Sequence, residues 1–448
     1  MSAKLRANAA QIVAQVAYKG HSLTQLLDEY RQKSQYSAAD ASLLQALCFG
    51  TLRFYPKWQA LINDALKKPM KSSDGDIQAL IALGMFQLLE SRVPAHAAIS
   101  ETVSACKILK KTWAKGLINA ILRRLQREPE WPAQLLASQP WAEHAFPKWI
   151  WKRLNNDWPE EADEIMRASN IQGPMTLRVN TLQTSVSDYQ QTLKDNDINC
   201  QAHNLATDAL ILQQPLSVEK LPGFFEGKVS VQDAAAQMAA RLLQFDQLAQ
   251  RSEIRVLDAC SAPGGKTGHL LETAQHYFKP EQIHCVALDK DADRLQKVAD
   301  NLKRLNLSAQ LIVADAAEVT SWWDGKPFDR ILIDAPCSGT GVIRRHPDIK
   351  LLRRNTDIAE LVNTQRSILQ ALWPLLADGG LLAYATCSVF KEENEQQIDW
   401  FLQHHPNAVE LEISYEKPLS AKYGWQIPPA WNDMDGFYYA VLQKNATT

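Results

Sequence analysis

The sequence predicts a multidomain protein: an all-α N-terminal domain over residues 1–145, a small α+β connecting domain over 146–231, and a C-terminal α/β domain over 232–448 carrying a doubly wound sheet. Three observations predict it. Apolar residues recur at helical spacing through the N-terminal third with hardly a β-branched run. From Gln232 onward, apolar strands alternate with helical patterns at the spacing of βαβ units. The length, 448 residues, is enough for about three compact units.

In the first domain, Ile77, Leu80, Ile81, Met85 and Leu88 form one helical stripe. Residues 101–127 set Lys107, Lys110, Lys111, Lys115, Arg123, Arg124 and Arg127 against the single acid Glu101. The apolar residues interleaved with them predict helices with one buried face and one basic face. Glu130–Trp158, rich in proline and tryptophan, breaks the period and reads as a connector. The second domain shows short strands at Thr176–Asn180, Asn199–His203, Ala209–Leu212 and Val229–Val231, with a helix near Ser187–Lys194. The third offers strands at Ile254–Leu257, Ile283–Leu288, Ala309–Val313, Arg330–Ile333 and Leu381–Ala385, and Phe437–Leu442 is placed to close the sheet.

Composition excludes other classes. With 46% hydrophobic and 22% charged residues, wholesale disorder is excluded. The longest uncharged apolar run, Ile77–Leu89, falls short of the ~20 residues a membrane helix needs. The start, Met-Ser-Ala-Lys-Leu-Arg, lacks a secretory pattern, so a cytoplasmic protein with no membrane association is expected. Seven cysteines with no Cys-x-x-Cys pair argue against a disulfide framework and a structural zinc, and no metal is expected. The net charge of −2 hides a split: residues 1–150 hold 19 Lys+Arg against 11 Asp+Glu, and the remainder is acidic. Such asymmetry points the first domain towards a polyanion.

The first strand of the third domain runs into Asp258-Ala-Cys-Ser-Ala-Pro-Gly-Gly-Lys266 and then a helix. Gly264 and Gly265 predict a tight turn that lets a ligand touch backbone at a helix N-terminus. The spacing is not that of a dinucleotide fingerprint or a phosphate loop. The following strands each end in an acid, Asp289, Asp315 and Asp334. An acid at the second strand end suits a ribose diol, so Asp289 indicates a nucleoside-bearing cofactor. Two cysteines lie just past strand ends, Cys337 in Asp334-Ala-Pro-Cys-Ser-Gly-Thr-Gly341 and Cys387 in Thr386-Cys-Ser388. If strand order reverses at the first strand, the fourth and fifth are neighbours and the two thiols share one pocket. Cys48, Cys106, Cys200 and Cys285 lack such loops and read as packing residues.

These motifs, with Asp435-Gly-Phe437, resemble the RNA (cytosine-5) methyltransferases of the NOL/NOP/Sun family, and the helical region resembles the NusB domain. The resemblance implies a Rossmann-like methyltransferase domain, a NusB-like RNA-binding domain, and methylation of carbon 5 of a cytosine in 16S ribosomal RNA, free or in a small-subunit assembly intermediate. The methyl donor would be S-adenosylmethionine, held by Cys260, Ser261, Ala262, Pro263, Gly264, Gly265 and Lys266, by Asp289 at the ribose, by Asp315 near the adenine, and beside Asp334. Covalent chemistry at carbon 6 needs a thiolate but does not say which cysteine attacks. The resemblance assigns attack to Cys387 and product release to Cys337. Asp334 is placed to bind the cytosine amino edge, and Lys266 to offset developing negative charge.

Phosphate contacts are expected from Arg344 and Arg345 after the Pro-Cys loop, from Lys110 and Lys111, and from Arg178. Asp348, Lys350, Arg353 and Arg354 read as a surface network. A transfer-RNA methyltransferase and a non-catalytic RNA assembly factor compete with this reading, the latter opposed by the intact Cys337, Cys387 and Asp334. A nicotinamide dehydrogenase would leave both cysteine loops unexplained.

Overall fold

The computed structural model describes residues 3–33 and 36–446. The chain divides into two compact units, Met1–Ile171 with Ile343–Asn355, and Gln172–Val342 with Thr356–Thr448.

The first unit is helical. Its hub is the helix Gly75–Leu89, in which Ile77 and every residue from Ala79 to Met85 are buried. A helix apolar on all sides must be surrounded, and Ala3–Lys19, Ala95–Ile108 and Lys115–Arg127 pack around it. Gly84 admits the close approach, since a Cβ there would meet Leu122 Cδ1 at 2.7 Å. The segment expected as a connector is helical instead, forming Trp131–Leu136, Pro140–Glu143 and Lys148–Asp157 within this unit. The prolines that interrupt its period sit in the first turns of the first two helices, where a missing N–H costs nothing.

The expected surface network after the Pro-Cys loop is corrected for Asp348 and Lys350, which are buried, while Arg354 is exposed as expected. Segment 343–355 belongs to the helical unit, and Lys350 is buried. Its ammonium donates to the carbonyls of Arg53 and Ala145, each at 2.9 Å, and to Asn170 Oδ1 at 2.5 Å. Asp348 accepts the Leu23 amide at 3.1 Å. Leu351 and Leu352 pack on the helical core. Local charge density in the sequence cannot reveal this, because every partner is distant along the chain.

The second unit holds two sheets. A small antiparallel sheet of β1 (Met175–Val179), β2 (Cys200–Ala202), β3 (Ala209–Leu212) and β4 (Val229–Val231) runs in the order β2-β3-β1-β4. Its helix, Val186–Asp195, starts at Ser185, whose hydroxyl accepts the Asp188 amide. The large sheet comprises β5 (Ile254–Ala259), β6 (Ile283–Asp289), β7 (Gln310–Val313), β8 (Phe328–Asp334), β9 (Leu376–Thr386), β10 (Ala408–Leu411) and β12 (Phe437–Lys444), with β11 (Trp425–Ile427) paired to β12. The order is β10-β12-β9-β8-β5-β6-β7: β5 to β9 are parallel, and β12 runs antiparallel beside β9. Strands buried on both faces read as continuous apolar runs, which is why β5, β8 and β9 are legible in the sequence. The short β10 and β11 carry no such run.

Sheet order reverses at β5, with β6 on one side and β8 on the other. Ligands in such sheets bind beyond the carboxyl ends of the strands at this point.

Candidate active site

Asp258 stands near the carboxyl end of β5. Its side chain is fully buried, and Oδ2 accepts the Thr267 hydroxyl at 2.6 Å. Burial pushes its pKa up to about 7, the Asp334 and Asp289 charges adding to the shift against Thr267 and Lys266. The other oxygen, Oδ1, and the Ser261 hydroxyl are buried without a protein partner. Orphaned polar atoms of this kind require a ligand or water. A ligand ammonium fits the donor-seeking set at this turn.

The backbone then turns through Cys260, in the left-handed region at φ 63°, and Gly264, at φ 94°. A side chain at Gly264 would also bring Cβ to 3.0 Å from Val298 Cα, so glycine is required twice over. Burial, with the charges of Asp334 and Asp289 behind it, pushes the Cys260 thiol up to about 12. Helix Gly265–Ala274 begins without a side-chain cap, leaving its first amides to a ligand. The turn is held from the neighbouring helix Ala292–Leu305: Arg294 donates to Ala262 O at 3.2 Å and Asn301 to Gly264 O at 3.1 Å.

Asp289 ends β6 and is buried, its two oxygens accepting the Ala262 and Asp291 amides at 3.3 and 3.0 Å. Asp315 lies just past β7, is exposed, and accepts the Ala317 amide at 2.9 Å.

The parallel pairing of β8 with β9 sets Asp334 opposite Ala385. The loops that follow therefore leave the sheet side by side, and the Cys337 and Cys387 sulfurs lie 3.4 Å apart. The hydrogen bond to Cys387, then burial, then the charges of Cys387 and Glu393 push the Cys337 thiol well up. Lys266 donates to Asp334 Oδ2 at 2.7 Å and stands 5.2 Å over the Phe437 ring. Burial disfavours the Lys266 ammonium, but the charge and hydrogen bond of Asp334, with Cys387 and Asp258 behind them, outweigh it and raise its pKa.

The Asp435-Gly-Phe437 segment has a steric reason. Gly436 packs backbone to backbone on Gly341, donating to Gly341 O at 2.9 Å, while the Gly341 amide donates to Cys387 O at 2.9 Å. A Cβ on Gly341 would sit 2.1 Å from Gly436 O. Three sequence-distant motifs thereby meet at one place.

Several expected phosphate contacts are corrected. Arg178 is buried, paired with Glu272 at 2.9 Å and donating to Gly265 O at 2.7 Å and to Gln232. It braces the turn after β5 from the small sheet. Arg344 is 2% exposed, and its carbonyl accepts from Arg53. Lys111 is held by Asp74 at 3.0 Å, Asp76 at 2.6 Å and Ser73 O. Lys110 is exposed and Arg345 half-buried. Sequence reasoning missed Glu393, a fully buried acid that binds both cysteine loops; it stands in Lys-Glu-Glu-Asn-Glu, where nothing local sets it apart from its acidic neighbours.

Family models match three successive parts of the chain: the NusB family over residues 3–127, the ferredoxin-like domain of RsmF/B-like methyltransferases over 146–219, and the 16S rRNA methyltransferase RsmB/F over 246–443. A curated relative from Pseudomonas syringae pv. tomato, ribosomal RNA small subunit methyltransferase B, is 47% identical over 93% of this chain and 92% of its own. Among solved structures, PH0851 matches with TM-score 0.78 at 22% identity over 98% of this chain and 99% of its own. A methyltransferase homolog protein from Pyrococcus horikoshii matches with TM-score 0.58 at 27% identity over 68% of this chain and 97% of its own. Identity of this extent, over a chain whose β5 turn, paired cysteine loops and Gly341–Gly436 contact form one site, places the protein in the RsmB/F family of 16S rRNA methyltransferases.

Proposed function

We propose that the protein methylates carbon 5 of a cytosine in 16S ribosomal RNA through a covalent adduct between Cys387 and carbon 6 of the base. The observation that carries the reading is the 3.4 Å approach of two cysteine sulfurs beside the Lys266–Asp334 pair.

Carbon 5 of cytosine is too weakly nucleophilic to take a methyl group unaided. Addition of a Cys387 thiolate to carbon 6 converts the ring to an enamine whose carbon 5 is nucleophilic. Loss of the carbon 5 proton to a base and cleavage of the carbon 6–sulfur bond then restore the aromatic ring and free the thiolate. Cys337, which holds its proton firmly, suits attack poorly; its thiol, 3.4 Å from the Cys387 sulfur, can donate to that sulfur as it departs. Lys266, coupled to Asp334 and Cys387, supplies positive charge where the thiolate and enamine need it. Asp334, fixed by Lys266, accepts from the cytosine 4-amino group and rejects uracil, whose O4 cannot donate.

S-adenosylmethionine, when bound, supplies an electrophilic methyl group. The ammonium of its methionine portion suits Asp258 Oδ1 and Ser261 Oγ, its carboxylate suits the uncapped amides of helix Gly265–Ala274, and Asp289 suits the ribose diol. Asp315, just past the next strand end, suits the adenine amino group. A base reaching the thiols is unpaired or flipped out of its helix. Lys110 and Arg345 are the expected phosphate contacts that remain at or near the surface.

The test uses wild-type protein, Cys387→Ala and Cys337→Ala with 16S RNA and labelled S-adenosylmethionine, resolved on denaturing gels. Cys387→Ala should transfer no methyl group and Cys337→Ala should accumulate a protein–RNA adduct. The reverse pattern overturns the assignment. Methylation of transfer RNA instead, or of no RNA, favours the competing readings.

A further inference from the structure

Glu393 lies in the short helix Lys391–Glu393, past the second cysteine loop, with its side chain fully buried. Its carboxyl group gathers both loops. Oε1 accepts the Ser338 amide at 2.8 Å and Gln365 Nε2 at 3.2 Å. Oε2 accepts the hydroxyls of Ser338 and Ser388, each at 2.6 Å. Ser338 directly follows Cys337 and Ser388 directly follows Cys387. One carboxylate therefore ties down the residue after each thiol.

The surroundings leave it no freedom. The Tyr384 hydroxyl donates to Glu393 O at 2.7 Å, and Thr340 Oγ1 stands 3.1 Å from Ser338 Oγ and 3.2 Å from Ser388 Oγ. Asn394 donates to Ser388 O at 2.9 Å and accepts the Thr386 hydroxyl at 2.6 Å. A buried acid that satisfies four donors, three of them from the two cysteine loops, is costly to bury unless its partners must be held in register.

We infer that Glu393 is a positioning residue for both cysteines, clamping the Pro-Cys and Thr-Cys loops so that the two sulfurs stay in mutual contact. It touches neither base nor cofactor in this assignment, which rests on the two-cysteine reading of the reaction. Its negative charge also contributes to holding the proton on Cys337.

The clamp can be read apart from turnover. Dibromobimane bridges two thiols only when they lie within its short span, becoming fluorescent as it does so. Wild-type protein should be bridged between Cys337 and Cys387, with Cys387→Ala as background. Glu393→Gln keeps the shape but turns an acceptor oxygen into a donor facing Ser338 or Ser388. It should cut bridging at least tenfold and lower kcat for methyl transfer by a similar factor, with the KM for S-adenosylmethionine and the thermal midpoint little changed. Ser338→Ala and Ser388→Ala should each give a part of the loss, and neither should add to it in the Glu393→Gln background. Wild-type bridging and kcat in a folded Glu393→Gln protein overturn the clamp. Equal losses in kcat and cofactor affinity, with a collapsed thermal midpoint, also overturn it in favour of a purely structural role. Bridging that depends on Glu393 in a wild-type protein without methylation activity upholds the clamp and refutes the reaction instead.

Discussion

Replacing Gly341 by alanine tests how tightly the cysteine loops are located. The new Cβ would stand 2.1 Å from Gly436 O, 2.6 Å from its carbonyl carbon and 2.8 Å from its Cα. All three are backbone atoms and cannot rotate away. Restoring ordinary contact requires the two chains to part by about 1 Å. Overpacking of this kind costs ~1–3 kcal/mol. The bond from the Gly436 amide to Gly341 O is stretched as well, adding ~1 kcal/mol. Unfolding free energy should therefore fall by about 2–4 kcal/mol. Because the Gly341 amide also binds Cys387 O, the displacement reaches the thiol pair, and a shift of about 1 Å at a reacting centre costs ~100-fold in rate. Urea unfolding and single-turnover methyl transfer measure the two effects. Gly116→Ala is the stability control: nothing lies within 4 Å of its Cβ position, so helix propensity should raise stability by up to ~1 kcal/mol. A Gly341→Ala protein within about 0.5 kcal/mol of wild type and at wild-type rate would refute the steric argument.

Asp258 makes stability depend on pH. Its pKa rises from 3.8 unfolded to about 7 folded, so across that window the folded state binds a proton the unfolded state does not. Stability therefore falls as pH rises, by at most ~1.4 kcal/mol per unit. The wild-type advantage over Asp258→Asn in urea unfolding should shrink by up to ~4 kcal/mol from pH 4 to above pH 7, and a constant difference would overturn the shift. Arg178→Ala breaks a buried pair and should cost ~3–5 kcal/mol while leaving the salt dependence of RNA binding unchanged; an altered salt slope would return Arg178 to the RNA surface. Lys110→Ala should lower the logarithmic salt slope of RNA binding by ~0.7–0.9 for each phosphate it ceases to neutralise, whereas Lys111→Ala should leave it alone, since that ammonium already serves Asp74 and Asp76.

Much of the architecture is written in local sequence. The helical stripe of Gly75–Leu89 and the apolar runs of β5, β8 and β9 follow from periodicity and burial alone, and the acids at the ends of β5, β6 and β8 mark positions that a parallel sheet must line up on one edge. The cysteine loops are legible because free thiols just past buried strands have no packing reason to recur. Long-range partners are another matter. Arg178 and Lys350 carry the sequence character of surface cations, yet each is buried on acceptors from distant segments: Glu272 and Gly265 for one, Arg53, Ala145 and Asn170 for the other. Glu393 is one acid among several in the sequence and the anchor of two loops in the fold.

The chain alone determined on which strand ends the acids and the two cysteines stand, because strand formation and burial depend on near neighbours in sequence. Which charges would face solvent, and what would hold two sulfurs 3.4 Å apart, was decided only by tertiary packing, since a buried charge is tolerated only where partners from elsewhere in the fold converge on it.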